Sequence, residues 1–348
     1  MNPIQDKVPE RLVGPDGHPL FGCYQGAISD ASLQYLSGAH ARGGLAKLRS
    51  EKRWHFIGIS TESIFASMAI IKMGYASAAF VYVFDRAEGR FLLDESVMGL
   101  PGPMCRIQDH PIDGASSAFR LPGMRLSLLG PSGEGLLHVR ANLSGGWPAL
   151  DIAIELDTAA APTAMTAICP VHGQGSVNLT VKQVAMPVRG RILVDDRRID
   201  LDGSQCWGLL DYTHGYLDRN TNWMWACAGG PASPRAKRRV GFNLCAGHNE
   251  NVENVIWIGD EMYPVSPVQF HRGTEGPDAP WQMKSDDGEV DLTFRPEGMR
   301  SEDRDMGIVA NHFMQPVGTF HGSLRDKRNR KVTIDGLAGI CEEHASRW

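Results

Sequence analysis

Turn-forming residues are the feature that most restricts how this 348-residue sequence can fold. Its 39 glycines and 21 prolines are spread evenly between short apolar runs, which favours many strands over long helices. Two runs, Leu150–Asp157 and Ser176–Val184, alternate apolar and polar residues with period two, as strands with one buried face do. Helix signals are few, at Ser29–Ser37 and Ser204–Leu210. The sequence therefore predicts an all-β fold of antiparallel strands with few short helices.

The length of the chain favours two domains. A second series of strand-like runs starts near residue 188, so we place the division near residue 186. The predicted organisation is an N-terminal segment at 1–45, a first β-barrel at 46–186 and a second β-barrel at 187–340, with a signature segment at 209–226. Closure into barrels is expected because it leaves no strand edge exposed.

Charge and cysteine usage narrow the class of protein. A net charge of −5 provides no global basic field for nucleic acid, and the basic run Arg235–Arg239 is interpreted as a solvated loop. Met1–Glu10 lacks the apolar region of a secretory signal, and no apolar run is long enough for a membrane span. Seven cysteines without a CxxC pair indicate free thiols and a cytoplasmic setting. Assembly into a homo-oligomer stays open.

The segment from Asp211 to Trp225 is the strongest candidate for a catalytic site. Asp211 or His214 is the predicted general acid–base, because both residue types exchange protons near neutral pH when suitably placed. Tyr216 and Arg219 are predicted to polarise or orient the substrate. A structural interpretation stays open beside this one: Asp211 caps a turn, His214 binds a backbone carbonyl, and Arg219 packs over a tryptophan.

Aromatic and amide residues nearby provide candidate ligand contacts. Alternate residues of a strand share a face, so two tryptophans of the signature segment are predicted to form one apolar wall. Two asparagines interrupt apolar strands, and each either braces a loop or faces a polar cavity. The predicted ligand-binding residues are Trp223, Trp225, Asn243, Asn254, Trp257 and Lys182. Tryptophans that simply plug the floor of a barrel are the alternative.

The histidines and cysteines show no spacing typical of a metal site. The closest pairs, Cys169 with His172 and Cys341 with His344, are not matched by a second pair, and HExxH does not occur. Glycine-rich phosphate loops and a GxSxG elbow are missing from the sequence as well. We therefore expect no metal and no nucleotide or flavin cofactor.

Several motifs together resemble a known bacterial family, the domain-of-unknown-function family 2804. The resemblance covers roughly residues 15–335, and Trp223-Met224-Trp225-Ala226 is its most specific part. The other matching motifs are Lys52-Arg53-Trp54-His55-Phe56, Gly74-Tyr75, Val81-Tyr82, Thr180-Val181-Lys182, Gly241-Phe242-Asn243-Leu244 and Glu253-Asn254. This family is similar in architecture to the lipocalin-like carotenoid 1,2-hydratase (hydroxyneurosporene synthase) and pericyclase group. The resemblance implies two calycin-type barrels packed together and a pocket for an apolar ligand in or between them.

The expected function follows from the signature segment and from this resemblance. We expect a cofactor-independent lyase, hydratase or isomerase that acts on a hydrophobic small molecule, such as a terpenoid, steroid or polyketide. General acid–base catalysis in a barrel pocket is the expected mechanism. Two alternatives stay open: a non-catalytic lipocalin-like carrier of a hydrophobic ligand, and a hydrolase of a polar substrate.

Overall fold

The computed structural model describes residues 4–100, 102–171, 175–276, 278–305, 307 and 309–348. Antiparallel strands make up nearly all of it, which confirms the all-β prediction. Within these residues the helices are α1, Gly44–Ser50, and two single 3-10 turns, Gly38–His40 and Asn249–Asn251. The helix predictions at Ser29–Ser37 and Ser204–Leu210 are wrong. The second of these runs lies in the strand Arg197–Tyr216, whose C-terminal part is buried on both faces. Its apolar residues therefore do not alternate with polar ones as in a half-exposed strand.

The first sheet has 13 strands and is a nearly closed barrel. Its strands are β1 Gly22–Gln25, β2 Glu51–Ser60, β3 Ile64–Met73, β4 Ser77–Asp85, β5 Arg90–Gly99, β6 Cys105–Ile107, β7 Ser116–Leu121, β8 Met124–Leu129, β9 Leu136–Leu143, β10 Leu150–Asp157, β11 Met165–Pro170, β12 Val177–Val194 and β13 Arg197–Tyr216. They pair in the order β5-β4-β3-β2-β13-β12-β10-β9-β8-β7-β6, with β11 joining β12 to β1. The edge strand β6 folds back over β2 and β3, where Arg53 Nη1 donates to the Ile107 carbonyl at 2.7 Å.

The second sheet has nine strands and forms a half-barrel around its own apolar core. Its strands are β14 Asn220–Pro231, β15 Arg239–Ala246, β16 Val255–Ile258, β17 Glu261–Pro264, β18 Val268–Arg272, β19 Trp281–Ser285, β20 Val290–Asp305, β21 Ala310–Arg325 and β22 Lys331–Arg347. They pair in the order β17-β16-β15-β14-β22-β21-β20-β19-β18. Together the two sheets confirm the predicted pair of packed antiparallel barrels.

Sheet membership changes between Tyr216 and Asn220. Residue 186, where the sequence analysis placed the domain division, lies inside β12 of the first sheet. The runs at Val188–Val194 and Ile199–Leu201 pair with each other within that sheet, because β12 and β13 both continue past their bulges. The signature segment thus passes from the end of β13 into β14 and links the two sheets.

The two sheets pack against each other at a β-bulge in β12, where Ala185 has a φ of 54°. Two glycines of the second sheet make this approach close. A Cβ atom on Gly229 would lie 2.4 Å from the Ala185 nitrogen, and one on Gly241 would lie 2.4 Å from Val184 Cγ2. Any larger side chain at these positions would hold the sheets apart.

The cysteines are all buried. All seven cysteines lie within the described residues, and each is buried and free of a disulfide, which confirms the prediction of free thiols. Burial raises the pKa of several of these thiols, including Cys105, whose pKa is about 11.

In the part of the chain that the structure describes, no helix has the length and apolarity to cross a bilayer.

Candidate functional site

A cavity lies where the two sheets meet, and we call it the inner cavity. Its empty volume is about 740 Å³, a figure that includes open solvent at its mouth. One wall comes from β2, β3, β4, β12 and β13, and the other from β14, β15, β21 and β22. The tryptophans and phenylalanines of its lining are Trp54, Phe56, Phe80, Trp223, Trp225, Phe313 and Trp348. Apolar walls with a few fixed polar groups are typical of small-molecule sites.

Strand alternation determines which side chains reach the inner cavity. Thr180 and Lys182 of β12, and Asp211 and Thr213 of β13, face the second sheet, while the residues between them pack into the core of the first barrel. On an isolated barrel this face would be in solvent. Because the second sheet covers it, Lys182 and Asp211 are only 4 % and 6 % exposed.

Lys182 lies at the centre of a buried charge cluster. Its Nζ is 2.7 Å from Asp211 Oδ1, 3.7 Å from Glu253 Oε2 and 4.9 Å from the centroid of the Trp225 ring. Burial alone would lower the pKa of Lys182, but Asp211 and then Glu253 raise it above its ordinary value. The ammonium group therefore stays charged and neutralises one of the two carboxylates.

The Asp211 carboxylate is held in a fixed orientation. Trp54 Nε1 donates to its Oδ2 at 3.1 Å, and the hydroxyl groups of Thr180 and Thr213 each donate to its Oδ1 at 3.2 Å. With Lys182 on the same oxygen, four groups position this carboxylate at the cavity wall. A fixed carboxylate beside an apolar cavity is placed to exchange a proton with a bound molecule.

Amide side chains fix Glu253 on the far side of Lys182. Asn243 Nδ2 donates to Glu253 Oε2 at 3.1 Å, and Asn249 Nδ2 donates to Oε1 at 2.6 Å. Asn243 Oδ1 in turn accepts the indole N–H of Trp225 at 2.7 Å. Asn243 therefore braces a cavity tryptophan and a carboxylate and does not line the cavity itself.

Glu342 is a carboxylate of the opposite wall that the sequence analysis did not identify. Trp223 Nε1 donates to its Oε1 at 2.8 Å, and Gln315 Nε2 donates to its Oε2 at 2.7 Å. His344 Nδ1 lies 3.7 Å from the same Oε1, and its ring stacks on Trp223 with centroids 4.0 Å apart. The alternation of Glu342 and His344, which the structure places in β22, was the available sequence signal.

His214 lies on the other face of β13 from Asp211. Three positions separate them, so strand alternation directs His214 into the first barrel. The two side chains therefore do not line one cavity, in contrast to the prediction of a common catalytic site. There its Nδ1 is 2.9 Å from the Ala31 carbonyl oxygen, and its Nε2 is 2.8 Å from Arg53 Nη2 and 3.1 Å from Glu51 Oε1. Burial, and then Arg53, lower the pKa of His214, which favours the neutral ring.

Four other predicted site residues also lie outside the inner cavity. Tyr216 is buried in the core of the first barrel, and Arg219 is exposed, with Nη1 donating to the Trp348 carbonyl at 3.2 Å. Trp257 is fully buried between the sheets, where its indole N–H donates to a backbone carbonyl at 2.8 Å. Asn254 accepts a backbone N–H at 2.6 Å, which is a bracing contact. Alternation and long-range packing, rather than residue type, decide these positions.

Potential metal ligands do not cluster in the described residues. No group of three or more His, Cys, Asp or Glu side chains there could hold a metal ion. Cys341 points into the core of the second sheet and His344 into the cavity wall, so this sequence pair does not converge. Of the other pair, Cys169 is buried between the sheets and His172 lies outside the described residues.

Comparisons with known proteins agree with this architecture. The family model described as "Domain of unknown function (DUF2804)" matches residues 4–348. Kievitone hydratase from Nectria haematococca is similar in structure, with a TM-score of 0.50, 12 % identity, and coverage of 98 % of this chain and 97 % of that chain. The structure of CghA with Sch210972 gives a TM-score of 0.49 at 10 % identity, covering 94 % of this chain and 99 % of that one. The hydratase likeness shows a shared fold. No curated protein matches the chain.

Proposed function

The chain belongs to the DUF2804 family, and we propose that it is a cofactor-independent lyase, hydratase or isomerase acting on a hydrophobic small molecule. The observation that carries the proposal is the Asp211 carboxylate, which is buried at an aromatic wall and fixed by Lys182 and Trp54. The fold that the chain shares with a protein named as a hydratase supports this class of reaction. The aromatic lining favours a terpenoid, steroid or polyketide-like substrate.

Acid–base chemistry in the inner cavity uses two carboxyl groups on opposite walls. In a hydration, Asp211 or Glu342 gives a proton to one carbon of the substrate double bond, and the other takes a proton from the water that attacks the neighbouring carbon. The tryptophan faces stabilise positive charge that develops on the substrate. We place His214, Tyr216 and Arg219 outside this chemistry, since none of them reaches the cavity.

A non-catalytic carrier is the second candidate function. The Lys182 ammonium and its two carboxylates are already paired with each other, as they would be in a purely structural cluster. A carrier would bind the same hydrophobic molecule and release it unchanged. A hydrolase of a polar substrate fits less well, because most of the accessible lining of the cavity is apolar.

Identification of a co-purified molecule tests the proposed function. Native mass spectrometry of the full chain, followed by solvent extraction, supplies the candidate compound for an activity assay. Turnover is expected to fall on the order of 100-fold or more in Asp211→Asn, since a positioned acid–base contributes at least that much. The exposed Asp200→Asn serves as the matched control and should keep full turnover. Unchanged turnover in Asp211→Asn would remove Asp211 from the mechanism, and binding without turnover in the wild type would favour the carrier.

A further inference from the structure

A second cavity adjoins the inner cavity, and we call it the outer cavity. Its empty volume is about 910 Å³, a figure that includes open solvent at its mouth. The two cavities share a wall made of Ile71, Phe80, Phe313, His344 and Trp348. Beyond this wall the outer cavity continues over the apolar side chains of Met73, Val97 and Met98. The two cavities are therefore adjacent, which is the geometry that a single elongated ligand would need in order to occupy both.

Arg300 of β20 is a buried cation in the wall of the outer cavity, and it is only 4 % exposed. Its guanidinium carbon lies 4.3 Å from the centroid of Phe80 and 5.2 Å from that of Phe313. Its Nε donates to Asp94 Oδ1 at 2.9 Å. These contacts fix the plane of the guanidinium at the junction of the two cavities.

The terminal nitrogens of Arg300 make no hydrogen bond to any residue within the described ranges. Glu302 Oε2 lies 3.9 Å from Nη2, which exceeds hydrogen-bond distance. The neighbouring Arg304 differs, because its Nε lies 2.8 Å from Glu302 Oε1. These nitrogens differ from the fully buried Arg53 Nε in being accessible at the wall of the outer cavity, so a bound molecule can supply acceptors to them.

We propose that Arg300 binds the carboxylate of the ligand, so that the substrate is an elongated, apolar carboxylic acid. The planar fork of terminal N–H groups matches the two oxygens of a carboxylate. The inference rests on the proposed function in taking both cavities as one substrate site.

Charge at the inner end determines the direction in which such an acid binds. Among the described residues that line the inner cavity, three carboxylates, Asp211, Glu253 and Glu342, stand against one lysine or arginine side chain, Lys182. A carboxylate is repelled by this excess of acidic groups and finds free donors at Arg300. The acid group therefore lies at the junction with the outer cavity, and an apolar part of the molecule lies beside Asp211.

A matched pair of fluorescent probes tests the proposal on the full chain. We would titrate 11-(dansylamino)undecanoic acid and its methyl ester at pH 8, where the acid is ionised. The wild type should bind the acid on the order of tenfold more tightly than the ester, the size expected for a charge-assisted bidentate contact. Arg300→Gln should abolish this preference while its affinity for the ester stays within about twofold. Arg304→Gln removes a paired cation of the same cavity and should keep the preference.

Three results would overturn the proposal: equal binding of acid and ester by the wild type, an unchanged preference in Arg300→Gln, or no binding of either probe. If Arg300→Gln does not fold by circular dichroism, Arg300→Lys replaces it and should keep only part of the preference, because the bidentate fork is lost. Asp211→Asn should keep the acid preference in this assay. A failure at Arg300 is therefore distinguishable from a failure of the acid–base chemistry at Asp211.

Discussion

The indole rings of Trp54 and Trp223 stack with their centroids 6.0 Å apart, and each donates its N–H to a different carboxylate of the inner cavity. Trp54 holds Asp211 from the first sheet, and Trp223 holds Glu342 from the second. The stacked pair thus connects the two walls and positions both acidic groups around one space.

Removal of either indole N–H should destabilise the protein. Trp54→Phe removes the indole donor from Asp211 Oδ2, and Trp223→Phe removes it from Glu342 Oε1. Leaving a largely buried carboxylate oxygen without its donor typically costs about 1–3 kcal/mol. Urea denaturation measures this loss. Trp207→Phe is the control, because the Trp207 indole N–H makes no hydrogen bond in the structure as described. A loss in Trp54→Phe no larger than that in Trp207→Phe would show that the bond to Asp211 contributes little.

Lys182 should be coupled energetically to its acidic partners. Lys182→Met leaves Asp211 and Glu253 buried without their cation, and breaking a buried pair from one side costs about 3–5 kcal/mol. The double variant Lys182→Met/Asp211→Asn should lose less than the sum of the two single variants. A double-mutant cycle in urea measures the difference. Additive losses would contradict a direct interaction between the two side chains.

Stability should fall in mild acid because of His55, which is buried in the first barrel. Burial lowers the pKa of His55 to about 3, whereas in the unfolded chain it is about 6.5. Between these values the unfolded state binds more protons, so stability is lost as the pH falls, by up to about 1.4 kcal/mol per pH unit. The lowered pKa of His214 acts in the same direction.

His55→Gln should therefore reduce the loss of stability between pH 6.5 and 4.5. Urea midpoints measured at several pH values give the slope for the wild type and for the variant. His271→Gln, at an exposed position, is the control and should leave the slope unchanged. Identical slopes for the wild type and His55→Gln would contradict the assignment to His55.

Close packing at the sheet interface gives a further prediction. Gly241→Ala places a methyl group against Val184 and should cost about 1–3 kcal/mol, as overpacking does. Adding Val184→Ala removes the clashing methyl groups, so the double variant should lose less than the sum of the single ones. Gly43→Ala has no atom within 4 Å of the new Cβ and is the control. Thermal unfolding compares all four variants; equal losses in Gly241→Ala and Gly43→Ala would exclude this contact.

Local alternation made part of the site predictable. The period-two pattern placed Thr180 and Lys182 on one strand face, and it placed Trp223 and Trp225 on another, and these faces line the inner cavity. The all-β fold followed in the same way from turn spacing. In both cases the deciding interactions are between near neighbours in the sequence.

The rest of the site depends on contacts between distant residues. Glu342 reaches Trp223 only because β22 pairs with β14, 119 positions earlier in the chain. No local pattern encodes that pairing. The position of the sheet boundary depends likewise on the continuation of β12 and β13 past their bulges, and turn signals near residue 186 do not distinguish a bulge from a chain reversal.

The bulge in β12 also determines which alternate residues of the strand face the core of the first barrel. Before it, Leu179 and Val181 face the core of the first barrel; after it, Val188 and Ile192 do, so the parity of the inward residues changes. Deletion of one residue from 183–186 would remove this change. The strand face that carries Thr180 and Lys182 would then point toward the apolar core of the first barrel. The number of residues in this stretch, more than their identity, thus determines whether the cavity has its polar side chains at all.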